Sequence, residues 1–354
     1  MRLWILLAIF WYVTSADASG YLRPRTNAPP PVVPDPVVTN TPAPPAQVPR
    51  SWSYSEAWKK GLPWKVMVAH DVPRGTVVSY YNRSTRTDSR IEERGPAGWK
   101  TIWDGDEETI GESPTLGAAP WDGGLVFAAE RGKTFLRYDN ASGKMSRLAK
   151  VPDGYKWNIY PAAWKAKNTV AVGADGPDKK AAVFDALTGR KLFDSPLDGL
   201  IAGMAEDASG VMWLAISDGQ QGICNSAGYA SRDLKPASVA HFGGRVVAGS
   251  MVDGWIWRLD GSKWVKWLDL DCSKVNKLVA DGRRGVLLAA GSNPDTFVAI
   301  HPDGTVERIA RFTDQKKSVS GEQFDATIDQ GAWETVIFGR ANDSGCYVYR
   351  GSMK

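Results

Sequence analysis

From about residue 114 onward one pattern recurs. A turn leads into a hydrophobic strand ending in small residues, and a second turn leads into a strand that is apolar at alternate positions. The first strands of these units begin at Leu125, Val170, Val211, Val246, Val286 and Val336, so the repeat advances by 45, 41, 35, 40 and 50 residues. Their partners begin at Thr134, Ala181, Gly222, Trp255, Thr296 and Cys346. Several of these run into Asn140-Ala-Ser-Gly, Leu187-Thr-Gly, Asp260-Gly261 or Pro302-Asp-Gly, where Gly and Asp or Asn supply the positive φ of a tight hairpin. A unit of roughly 42 residues with about four short strands is the size of a β-propeller blade. Each blade is covered by a neighbour on either side, which accounts for strands that read apolar on both faces.

The stretch Trp64–Gly105 reads as one more blade, with strands at Lys65–His70, Thr76–Tyr81, Ser89–Glu93 and Trp99–Trp103. The expected fold is therefore all-β, a propeller of seven blades, with six and eight as the neighbouring counts and an open solenoid as the competing architecture. The last unit stops one strand short at Lys354, so residues 51–62 are expected to supply the missing strand or cover its edge. Composition agrees: 36 Gly, 16 Trp and only 23% charged residues suit many short strands joined by tight turns.

The N-terminus differs from the rest. Met1-Arg2 precedes eleven apolar residues, Leu3–Val13, and then Ala16-Asp17-Ala18. A basic start, a short apolar run and an A-x-A site predict a secretory leader over 1–18. An uncleaved membrane anchor over residues 3–18 is the alternative, although the run is shorter than the ~20 residues of a spanning helix. Ten of the 22 prolines lie between Pro24 and Pro49. Such a segment favours polyproline II and builds no core, so residues 19–50 are expected to be a spacer and 51–354 the propeller domain.

Residues 19–100 carry 12 Lys/Arg against 6 Asp/Glu. No basic run exceeds two residues, which argues against a nucleic-acid partner and leaves membrane contact to the N-terminus alone. An exported chain oxidises cysteine pairs that meet. Three cysteines, Cys224, Cys272 and Cys346, cannot all pair within one chain, and no Cys/His spacing points to a metal.

Asp207-x-x-Gly210-x-x-Trp213, within Glu206–Ala215, resembles the turn-and-strand motif of bacterial-type β-propellers, among them streptogramin-lyase-like, SMP-30-like and two-component-regulator sensor propellers. Shorter versions recur as Asp122-Gly-Gly, Asp281-Gly and Asp329-Gln-Gly. The resemblance is to a generic blade and implies the fold. The Trp-Phe-Thr-Glu repeat of the streptogramin lyases does not occur in the chain.

Candidate chemistry is sparse. Neither a G-x-S-x-G elbow nor a phosphate-binding G-x-x-x-x-G-K-[ST] loop occurs. The three histidines, His70, His241 and His301, occupy different blade positions and need not converge. Asp104, Asp106, Glu107 and Glu108 form the densest acidic run and are the candidate Ca²⁺ ligands; otherwise no cofactor is expected. Trp255, Trp257, Trp264 and Trp267 read as a hairpin turning at Asp260-Gly261, with Trp257 opposite Trp264. They serve either as core packing or as a stacking platform for a ligand. The expectation is an exported binding, recognition or scaffold module for protein or glycan partners. A hydrolase or lyase working at the channel mouth with Asp, Glu, His and a metal is the alternative, and a subunit of a larger assembly is a third reading.

Overall fold

Strands that are apolar on both faces need cover on both faces, and a ring of sheets standing face to face gives it without leaving an outermost sheet. The computed structural model describes Trp52–Met353 apart from residues 83–88, 105–113, 130–133, 151, 153, 156, 177–179, 314–325, 331–334 and 343–344. The expected leader and spacer, with Asp106, Glu107 and Glu108, lie outside the described residues.

The described residues begin with β1 (Trp52–Gly61). Blade 1 follows as β2 (Trp64–Val72), β3 (Gly75–Asn82), β4 (Ser89–Gly95) and β5 (Gly98–Asp104). Blade 2 is β6 (Pro114–Trp121), β7 (Gly124–Ala129), β8 (Thr134–Asp139) and β9 (Met145–Lys150). Blade 3 is β10 (Trp157–Trp164), β11 (Thr169–Asp175), β12 (Ala181–Asp185) and β13 (Lys191–Asp194). Blade 4 is β14 (Ile201–Glu206), β15 (Met212–Ile216), β16 (Gly222–Asn225) and β17 (Ala230–Ser231). Blade 5 is β18 (Pro236–Phe242), β19 (Arg245–Ser250), β20 (Trp255–Asp260) and β21 (Lys263–Asp269). Blade 6 is β22 (Lys274–Asp281), β23 (Val286–Ser292), β24 (Asp295–Ile300) and β25 (Val306–Phe312). Blade 7 takes β26 (Ala326–Gln330), β27 (Thr335–Asn342) and β28 (Gly345–Met353), and its fourth strand is β1. A single 3₁₀ turn, Lys165–Lys167, is the one helical element among the described residues.

The count of seven is thus settled, and the N-terminal strand closes the ring as expected. β1 pairs antiparallel with β28 from Trp52 opposite Met353 to Gly61 opposite Gly345. Within each blade successive strands are neighbours, so blades 1 to 6 fold from local hairpins and blade 7 alone needs both ends of the chain.

Seven hydrophobic clusters lie between the seven pairs of adjacent blades, including one between blades 7 and 1 built from Trp58, Val66, Val78, Tyr80 and Val348. The second and third strands form the centre of this packing. Every residue of β12, β15 and β23 is buried.

Polar staples join blades as well. Arg340 Nε of blade 7 donates to Asp295 Oδ2 of blade 6 at 2.8 Å, with both side chains buried. Arg350 Nη2 reaches Asp71 Oδ1 of blade 1 at 2.7 Å. Trp58 Nε1 donates to Glu92 Oε2 at 3.1 Å, and Tyr138 Oη of blade 2 donates to Glu93 Oε1 of blade 1 at 2.6 Å.

Candidate functional site

The seven inner strands line the central channel, and their sequence decides what space it leaves. In six of them the pairing to the second strand shifts register, at Val66/Val68, Pro114/Ala118, Ile159/Ala162, Ile201/Gly203, Pro236/Ser238 and Val275/Lys277. A bulge bends a strand and increases its twist. The residues just after five of these six bulges, Ala118, Ala162, Gly203, Ser238 and Lys277, line a cavity of about 290 Å³. The wall is made mostly of small side chains because neighbouring backbones approach closely. A Cβ on Gly203 would lie 3.2 Å from Ser238 Cα in the next blade.

Five polar residues among those described meet this cavity: His70 on β2, Glu206 on β14, Ser238 and His241 on β18, and Lys277 on β22. His70, Glu206 and His241 sit towards the C-terminal ends of their inner strands, the end that carries the hairpins to the second strands, while Lys277 sits mid-strand beside the bulge of β22. His70 and His241 were expected in unrelated positions, yet both face one cavity. His241 also lines the adjoining surface groove with Lys165, Glu206, Asp207 and Ser209. Glu206 is committed structurally. Its two carboxylate oxygens accept the backbone N–H of Lys165 at 2.7 Å and of Ala166 at 2.8 Å, fixing the 3₁₀ turn of blade 3 against blade 4.

The Asp207-x-x-Gly210-x-x-Trp213 motif lies at the rim and proves to be a turn staple. Asp207 Oδ1 accepts Ser209 N at 2.8 Å, Ser209 Oγ at 2.6 Å and Val211 N at 3.1 Å, while Oδ2 accepts Trp213 Nε1 at 2.7 Å. Burial works to raise the pKa of this carboxyl, but the bonds from Ser209, Trp213 and Val211 win and hold it below the ordinary range. Gly210, at φ +81°, lets its carbonyl accept Trp164 Nε1 from blade 3 at 2.9 Å.

The remaining candidates do not join this site. His301 Nε2 lies 2.9 Å from Glu307 Oε1 in blade 6, and the same carboxylate accepts Trp52 Nε1 of β1 at 3.0 Å. His301 therefore helps seat the closing strand. Asp104 is ion-paired with Arg90 at 2.9 Å. No group of three or more His, Cys, Asp or Glu suited to a metal occurs among the described residues. No disulfide joins Cys224, Cys272 and Cys346, which lie on β16, between β21 and β22, and on β28.

The tryptophan hairpin differs in register from the expectation. Its turn centres on Gly261-Ser262, with Asp260 opposite Lys263, Leu259 opposite Trp264 and Trp257 opposite Lys266. Gly261 at φ +61° takes the first turn position instead of the second, which slides the pairing by two residues. The four indoles then divide. Trp264 is buried between blades 4 and 5 and donates Nε1 to Tyr229 Oη at 3.1 Å. Trp267 packs between blades 5 and 6, its ring centroid 6.4 Å from that of Phe242. Trp255 and Trp257 share Lys266, whose Nζ lies 4.7 Å and 5.6 Å from their ring centroids. The cation thus occupies one face of each of these two indoles.

No protein-family model matches the chain. No curated protein matches it either. Among solved structures, the chain is similar to YCF48 bound to D1 peptide, with 10% identity and a TM-score of 0.53 over 86% of this chain and 97% of that one. It is also similar to the extracellular domain of BT4673 from B. thetaiotaomicron, with 12% identity and a TM-score of 0.55 over 83% of this chain and 39% of that one. At such identities the likeness establishes fold alone: by architecture the chain is a β-propeller of seven four-stranded blades closed by β1.

Proposed function

We propose that this protein is an exported binding module that receives a segment of a protein partner at the hairpin-bearing mouth of its channel. The observation that carries the reading is the cavity of about 290 Å³, walled by small side chains and lined as well by His70, His241 and Lys277. A concave, mostly apolar space with a few convergent polar groups is the usual form of a recognition site. The neighbours lend support at the level of fold, one having been solved with a peptide and another being an extracellular domain. Export rests on the sequence of residues 1–18, and the intact mass of protein from its native host tests whether they are removed.

A hydrolase or lyase at the same mouth is the second reading, favoured by the shared position of His70 and His241. Among the described residues the carboxylate that lines the cavity is Glu206, which already accepts two backbone hydrogen bonds. A glycan partner would use Trp255 and Trp257 and would have to displace Lys266.

The experiment is site-specific photocrosslinking in the native host, with a photoreactive residue at position 241 and a control at exposed Val252. A product formed only from position 241, and lost when Ala162→Leu fills the cavity, supports the reading. Identical products from both positions, or an unchanged product in Ala162→Leu, overturn it.

A further inference from the structure

The cavity at the channel mouth is too small for a stretch of peptide. A space of about 150 Å³ admits one benzene ring, and the cavity, at about 290 Å³, holds one large side chain and little more. A second space adjoins it. This groove of about 560 Å³ is lined by Lys165 and Ala166 of the 3₁₀ turn, and it shares Ala163, Glu206 and His241 with the cavity. The pair gives a hole for one side chain and a trough for the backbone that carries it.

The wall selects the side chain. Pro120, Pro161, Ala162, Ala202 and Gly203 line the cavity and have no long branch to send into it. A planar ring fills such a slot, whereas a Leu side chain leaves a void whose lining loses its contacts. His241 lines both spaces, and among the described residues its imidazole makes no hydrogen bond or ion pair. A neutral imidazole offers one donor and one acceptor. Lys277 lines the cavity at the bulge of β22, and a cation is drawn to the face of an aromatic ring. The shape is built in as well: five inner strands bulge just before the residues that line the space, and bulges gather beside functional sites.

We propose that the segment received at the channel mouth is anchored by one aromatic side chain with a polar edge, tryptophan or tyrosine, inserted into the cavity. Its ring lies against the small-residue wall, and its N–H or O–H is bonded to His241. The flanking backbone lies in the groove. A buried aromatic anchor of this kind carries much of the energy of an interface, since one end of the ring is apolar and the other is met by a polar partner. The inference rests on the channel reading above and names the residue class that the cavity takes.

The test is selection of random 12-residue peptides on the immobilised full chain, followed by fluorescence anisotropy of the labelled winners. Channel-bound winners are those whose binding is lost in Ala162→Leu, with Ala202→Leu as the second filling change if the first fails to fold. These winners are expected to share one Trp or Tyr. Replacing it by Ala should weaken binding about thirtyfold or more, the scale of a buried anchor. Replacing it by Phe should weaken binding about threefold to tenfold, the scale of one hydrogen bond. His241→Leu should erase that difference between the parent peptide and its Phe form. Channel-bound winners with no shared aromatic, or an Ala peptide that binds within threefold of its parent, overturn the proposal and leave the channel reading standing. Equal affinity for N-acetyltryptophanamide and for the winning peptides would assign the cavity to a free aromatic ligand and overturn it as well. If no winner depends on the cavity, both readings fall.

Discussion

Trp58→Ala is the sharpest test of how the ring closes. Trp58 sits on β1, is 6% exposed and packs on Tyr80 and Trp99 at centroid distances of 5.1 Å and 6.3 Å. A buried indole removes about 200 Å² from water, which at about 25 cal/mol/Å² is worth about 5 kcal/mol. Measured Trp-to-Ala costs in cores of about 3–5 kcal/mol agree. The lost Nε1 bond adds little, because Glu92 keeps Tyr80 and Lys60 as donors. A cost of about 4 kcal/mol is a large part of the roughly 5–15 kcal/mol that holds a domain together. For a chain this long, about 2 °C is lost per kcal/mol, so the melting temperature should fall by about 8 °C. Hydrogen exchange supplies the location. Amides of β1 and β28 should lose protection first, while β12 and β15 in blades 3 and 4 stay protected. A melting temperature within 2 °C of the parent, or uniform loss of protection around the ring, would refute the argument that β1 is the closing strand.

Other expectations follow from single sites. Gly203→Val should cost about 1–3 kcal/mol in urea unfolding, because its Cβ meets the backbone of Ser238 and Val239 at 3.2–3.3 Å. Asp207 is held below its ordinary pKa, so its contribution is present above the unfolded value of about 3.9 and lost as pH falls through the lower folded one. Asp207→Asn should therefore be less stable at pH 7 and converge on the parent in acid, as thermal melts across pH will report. Burial pushes the Cys272 thiol up to about 11, so alkylation by iodoacetamide at pH 8 should run about 100-fold slower than for an exposed cysteine and recover in denaturant. Trp264→Phe should cost about 1 kcal/mol for its lost bond to Tyr229, and Lys266→Gln at the exposed rim less than that, both by chemical denaturation.

The second and third strands of the blades were legible because both of their faces are buried. Leu125, Val170, Val211, Val246, Val286 and Val336 all lie within one residue of the start of a second strand, and the hairpin turns between units carry their own Gly and Asp chemistry. The closing role of residues 51–62 followed from counting strands. The inner strands of blades 2 to 6 were not legible. Their side chains are selected for smallness by the converging backbones, and Ala, Gly, Pro and Ser in a row carry no period of two. The hairpin register failed at one residue, since a Gly beside an Asp and a Ser leaves two turn positions open, and a shift of two preserves the alternation that would have exposed the error.

The bulges show what signal was missing. Once the inner strands are aligned on the residue after the bulge, Gly203 matches Ser238, and Glu206 and His241 fall three residues later in adjacent blades. Val68 gives the same frame for His70, one step earlier. Chain order hides this, because positions that share the channel are 30 to 50 residues apart while the strands that carry them look like turns. The channel mouth exists because seven strands converge and only small residues fit. His241, which lines that space on β18, is where binding has to be tested first.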